Sequence, residues 1–194
     1  MQDNEPKPSK AQRTRAAIFT AASRLFAAHG YDGTSVRDIA SEAGVDPALV
    51  IRYFGSKDAL FAEVSEFQLD LPPVDRSMRP IAGEYMVRNF LDIWEGPNAG
   101  GAFVILLRSA AANERAAEKL REIFAAQVVP TVTALAGPDG AAQRAGLITS
   151  HMLGLALCRY ILKLPPVVDL SKDAIAENVG RAVQAYLDLP ADRI

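Results

Sequence analysis

Apolar residues fall at Ala17, Ile18, Ala21, Ala22, Leu25, Phe26 and Ala28, a spacing that predicts a helix with one apolar face. Ser9 stands before this stretch as a capping residue, and Gly30 follows it where a left-handed glycine ends a helix. Asp32-Gly33 marks a turn. A second, short helix starts at Thr34 or Ser35, places Val36, Ile39, Ala40 and Ala43 on its apolar side, and stops at Gly44. Asp46-Pro47 then pairs a cap with a proline suited to the first helical position, so a third short helix runs to about Tyr53. Gly55 breaks it, and Ser56 caps a fourth helix predicted over Lys57 to about Leu69.

After Leu71-Pro72-Pro73 the same periodicity predicts five more helices: Ser77–Glu95, Gly101–Ala112, Glu114–Ala136, Asp139–Leu164 and Ser171–Leu187. Pro130 should kink the third of these. No repeat and no strand pattern is present, so the fold class is all-α, with about nine helices. The boundaries divide the chain into a disordered arm over 1–9, a helix-turn-helix domain over 10–56, a connecting helix over 57–71 and a helical domain over 72–194.

Charge sharpens this division. Residues 7–57 hold eight basic and four acidic side chains, net +4, which leaves −6 for the rest of a chain of formal charge −2. A basic module joined to an acidic body suits a polyanionic partner. Two short helices around a tight glycine turn need small residues where they cross, and Ala40, Ala43 and Gly44 supply them. Val36, Ile39, Val45, Val50 and Phe54 are expected to share a core with Ile18, Ala22, Leu25 and Phe26. In such a unit the second helix enters the major groove of DNA.

Residues 26–45, Phe-Ala-Ala-His-Gly-Tyr-Asp-Gly-Thr-Ser-Val-Arg-Asp-Ile-Ala-Ser-Glu-Ala-Gly-Val, and 52–61, Arg-Tyr-Phe-Gly-Ser-Lys-Asp-Ala-Leu-Phe, resemble the signature of the tetracycline-repressor (TetR) family. The resemblance covers about Thr14 to Phe61. Looser similarity to the family's C-terminal half lies in Leu106–Ala111 and Gly154–Ile161. The resemblance implies that Thr34 and Arg37 touch phosphates. It also implies that Pro47, Ala48, Arg52 and Tyr53 face DNA and that Lys57 holds a phosphate. A tyrosine is frequent in this family three residues before the phenylalanine of the motif. Here Ile51 takes that place, and one phosphate hydrogen bond goes with it. Asp46 would repel phosphate, so capping is its expected role, and His29 is expected to serve the C-terminus of the first helix.

The family likeness further implies a C-terminal domain for ligand binding and dimerisation. Phe90, Trp94, Phe103, Leu107 and Met152 are candidate cavity residues, and ordinary core packing is their alternative. Arg108 and His151 are polar groups among apolar neighbours, which must find a partner or face a cavity. The last two long helices carry small residues at Ala145, Gly146, Gly154, Ala156, Ala176, Gly180 and Ala182, suited to a two-fold four-helix interface. The expected partners are double-stranded operator DNA, a small-molecule effector and a second copy of the chain, with no membrane.

Catalysis is disfavoured. The two histidines and Cys158 lie far apart, no Glu-x-x-His pair is present, and no glycine loop suits a phosphate. No catalytic residue, metal or cofactor is therefore expected. A carrier or interaction module without DNA binding is the remaining alternative. Cys158 alone permits no internal disulfide, Met1–Ser9 has no apolar core of a signal peptide, and Ala102–Leu107 and Met152–Cys158 are too short to span a bilayer. A cytoplasmic setting is expected.

Overall fold

A computed structural model describes residues 9–67, 69, 71–96 and 101–194, and every regular element among these is helical. Of the arm expected over 1–9, residues 1–8 lie outside the described residues, and Ser9 caps α1. In chain order the helices are α1 (Lys10–His29), α2 (Val36–Ala43), α3 (Pro47–Phe54), α4 (Lys57–Val64), α5 (Ala82–Glu95), α6 (Gly101–Ser109), α7 (Glu114–Ile123), α8 (Val129–Ala136), α9 (Ala141–Ala156), α10 (Pro165–Val168) and α11 (Lys172–Asp188). The chain forms two compact units, residues 1–68 with 100–120 and residues 69–99 with 121–194.

In the first unit the starts of the helices are written locally. Ser9, Ser35, Asp46 and Ser56 each accept a backbone N–H of the helix they precede, and Ser9 and Ser35 close full capping boxes with Gln12 and Asp38. Ile18, Ala22, Phe26, Ile39, Val50 and Leu60 are fully buried and form the core. Leu25, Val36 and Val45, expected in that core, are only half-buried at its margin. The rings of Phe26 and Tyr31 meet Phe61 edge-on at 5.2 and 5.0 Å.

α6 belongs to this unit rather than to the C-terminal body. Phe103, Ile105 and Leu106 are buried, and the helix packs along α1. So short and apolar a helix needs cover on more than one side. The Ser109 hydroxyl oxygen accepts the Tyr31 N–H at 3.1 Å, joining the turn after α1 to the end of α6. α6 stops at Ser109, not Ala112, because the N–H groups of Ala112 and Asn113 turn back to the Ser109 carbonyl and the Asn113 side chain caps α7. α4 likewise ends at Val64, short of Leu69. Ser65 there bonds the Ala62 carbonyl, the kind of local competition that unwinds a helix end.

In the second unit α5 crosses α11 at a glycine pair. A Cβ on Gly83 would lie 2.2 Å from the Gly180 carbonyl oxygen, and one on Gly180 would lie 2.8 Å from Glu84 Cα. No larger residue fits at either place. Gln184 accepts the Gly83 N–H at 3.0 Å, and Arg88 bridges Glu84 and Asp173 across the same crossing. The stretch 114–136 is not a simple kinked helix. A π-helical turn over Phe124–Val128 separates α7 from α8. The widened turn precedes Pro130, which has no N–H and would crowd the carbonyl four residues back in a regular helix. A second π-turn, Leu157–Ile161, ends α9. Buried Arg144 donates to the backbone carbonyls of Asp139 and Leu189, tying α9 to the chain after α11.

Candidate nucleic-acid interface

Gly44 turns α2 into α3 in the left-handed region, φ 65° and ψ 37°, and its N–H returns to the Ala40 carbonyl. That conformation strains any side-chain-bearing residue, hence glycine. Asp46 then spends its carboxylate on the Ala48 N–H at 2.8 Å, as expected of a cap, at the positive end of α3. With Val50 and Phe54 buried, α3 turns Pro47, Ala48, Ile51 and Arg52 outward on one stripe. Arg52 is exposed and has no ion-pair partner among the described residues.

Arg37 on α2 is exposed as well, and the two carboxylates of the same helix, Asp38 and Glu42, are engaged elsewhere. Asp38 accepts the Ser35 N–H and hydroxyl at 2.9 and 2.6 Å, and these bonds hold its carboxyl below the usual range. Glu42 pairs with Arg24 at 2.8 Å. Arg37 has no ion-pair partner among the described residues. Thr34 is 2% exposed and its hydroxyl donates to the Gly30 carbonyl at 2.9 Å, so its side chain secures the turn before α2. Tyr53 is half-buried beside the outward stripe.

Lys57 opens α4, where the helix dipole disfavours a cation. The ring of Tyr31 offsets this: the Lys57 Nζ stands 3.9 Å from its centroid. The Tyr31 hydroxyl donates to Asp58 at 2.7 Å, and Asp58 also pairs with Arg115 at 3.0 Å. Burial, reinforced by the Asp58 hydrogen bond, pushes the Tyr31 hydroxyl pKa up to about 12. Tyr31 and Ser109 were not singled out from the sequence, although an aromatic directly after a helix-ending glycine is a mark of a packed C-cap.

The candidate ligand residues divide between the units. Phe103, Leu107 and Arg108 lie in the first, where Phe103 packs on Phe67 at 5.0 Å. Arg108 is exposed, so it has no need of a buried partner. Phe90, Trp94, His151 and Met152 lie in the second. There Trp94 neighbours Phe90 at 6.1 Å and stacks flat on Tyr160 at 4.6 Å. Tyr160 donates to Glu95 at 2.7 Å, and Glu95 also binds Arg159 and Lys172. His151 meets the Tyr186 ring edge-on at 6.1 Å. Of the small residues expected on a free seam, Ala145, Ala156, Ala176 and Gly180 are buried within the unit, whereas Gly146 and Gly154 face open space. Among the described residues, no group of His, Cys, Asp and Glu is placed to hold a metal, and no helix is long and apolar enough to cross a membrane.

Residues 18–64 match the family model of bacterial regulatory proteins, tetR family, and residues 81–187 match the tetracyclin repressor-like C-terminal domain. The chain is 44% identical over 62 residues to the HTH-type transcriptional repressor Rv3405c of Mycobacterium tuberculosis, a match over 32% of this chain and 33% of that protein. It thus spans about a third of the length of this relative. A solved TetR-family regulator (SCO0857) from Streptomyces coelicolor is 28% identical, with a TM-score of 0.55 over 94% of this chain and 98% of that one. NalD, the secondary repressor of the MexAB-OprM multidrug efflux pump in Pseudomonas aeruginosa, shares the fold at a TM-score of 0.66 and 22% identity, over 91% and 97% of the two chains.

Proposed function

The chain belongs to the TetR family of bacterial regulatory proteins, and on that premise we propose that it is a homodimeric transcriptional repressor, released from a pseudo-palindromic operator by a small, largely apolar ligand. The observation that carries the reading is the outward face of α2 and α3, where Arg37 and Arg52 are exposed and without ion-pair partners among the described residues. Unpaired guanidinium groups beside a groove-sized helix suit phosphate oxygens and base edges. A regulator of this family is not an enzyme.

Two such helices must stand about 34 Å apart to enter successive major grooves, which requires two copies. The outer face of α9 supports that pairing. Leu147 on α9 and Leu157, at the start of the π-turn that follows it, are exposed, and Gly146 and Gly154 leave room for close approach of a second helix. The aromatic group of Phe90, Trp94 and Tyr160, with Met152 nearby in sequence on α9, supports an apolar ligand in the second unit. α4 was expected to be the regular element joining reading head to body. It ends at Val64, and α7 is a helix whose residues run across position 120, from one unit into the next.

The experiment follows the single tryptophan of the chain. Candidate apolar compounds are titrated against Trp94 fluorescence, with and without a saturating duplex selected from a random library. A coupling of about 1–3 kcal/mol, typical of allostery, weakens the compound about 5–150-fold when DNA is bound. Equal affinity in the two titrations contradicts ligand-controlled release.

A further inference from the structure

We propose that Ile51 reads the methyl group of a thymine in the operator. This rests on the DNA-binding reading above and concerns how sequence is told apart.

Ile51 is 43% exposed, while Ile18, Ile39, Val50 and Leu60 of the same unit are fully buried. Among the described residues of the first unit it is the only large aliphatic side chain left in solvent; the other exposed ones all belong to the second unit. A lone surface aliphatic ordinarily needs no explanation. This one is set apart by its place. It lies one helical turn beyond Pro47 on the outward stripe of α3, with Ala48 beside it, so the three make a continuous apolar strip. The same unit carries cations: Arg52 is adjacent in sequence, Arg37 on α2 is exposed and without an ion-pair partner among the described residues, and Lys57 opens α4.

The partner that covers this surface has to be anionic at its edges and apolar at one point. The major groove of DNA offers that combination, because the thymine C5-methyl is the apolar feature of its edge pattern. Isoleucine has no donor, so it cannot hold a phosphate oxygen. Its branched Cβ restricts χ1, which fixes the direction of its methyl groups and makes the contact positional. A contact to deoxyribose would also be apolar, but it would be indifferent to the base.

The test replaces thymine by deoxyuridine, one position at a time and symmetrically in both half-sites, in a duplex selected by the wild-type chain from a random library. Wild type should lose roughly fourfold in affinity for each methyl removed from contact with Ile51, about fifteenfold for the symmetric pair, the value of a buried methylene. The Ile51→Ala variant should bind less tightly and show no loss at that position. Alanine at an exposed helical site favours the helix, and circular dichroism verifies the fold. Specific binding by wild type that is indifferent to every thymine methyl overturns the proposal and leaves the repressor reading standing. A methyl sensed equally by wild type and Ile51→Ala overturns it too. Failure to select any duplex overturns both.

Discussion

The ammonium group of Lys57 stands 3.9 Å from the centre of the Tyr31 ring, so the cation proposed for phosphate is part of the head's own packing before any DNA arrives. Tyr31 is in turn held by Ser109 through its N–H and by Asp58 through its hydroxyl. A charge fixed in this way sacrifices less side-chain entropy on binding than a free lysine.

Lys57→Ala is therefore expected to weaken binding to every duplex by a similar factor and to flatten the dependence of log affinity on log salt by about one unit per subunit. Titrations at several salt concentrations, on the selected duplex and on a scrambled one, measure both effects. An unchanged slope would remove Lys57 from the phosphate contacts.

Arg52→Ala should act differently. A lost base contact costs roughly 1–3 kcal/mol on the selected duplex and relaxes discrimination at one position per half-site. Reselection from the random library with the variant shows it as a position that no longer prefers one base. A uniform loss across sequences would make Arg52 a phosphate contact instead.

Gly83→Ala tests the packing of the second unit. The added Cβ meets backbone at 2.2 Å, with no flexible side chain to yield. Overpacking of this kind costs about 1–3 kcal/mol or more, and each kcal/mol lowers the melting temperature of a chain this size by about 2–4 °C. A thermal melt that matches wild type would mean the α5–α11 crossing is looser than described.

The reading head was legible in the sequence because its instructions are local. Ser9, Ser35, Asp46 and Ser56 mark helix starts, and Gly30, Gly44 and Gly55 mark ends, within a few residues of the apolar periodicity they bound. What escaped the sequence depends on contacts between distant residues. The placement of α6 against α1 turns on Tyr31 and Ser109, 78 positions apart. The use of Gly180 inside the unit turns on Gly83, and periodicity alone cannot distinguish a small residue that admits a neighbour of the same chain from one that admits a second chain. Thr34 has a residue type suited to phosphate, but its burial follows from the Gly30 carbonyl four residues earlier.

Tyr31 also gives the head a pH signature. Its pKa is about 12 when folded against 10.0 for the free side chain, so folding favours the protonated form. The associated stability is complete below pH 10 and is lost as pH rises toward 12. Urea unfolding across this window should show a decline that is shallower in Tyr31→Phe. Identical pH dependence in the two proteins would detach Tyr31 from it.

The central claim is that the face of α2 and α3 recognises a specific DNA sequence, and fluorescence anisotropy measures this most directly. A labelled duplex selected from a random library is titrated with the wild-type chain at near-physiological salt, with scrambled duplex as competitor. The expected result is saturation at an even number of chains per duplex, two for each pair of half-sites, and a preference of about a thousandfold or more over scrambled DNA. Equal affinity for selected and scrambled duplexes would contradict the account.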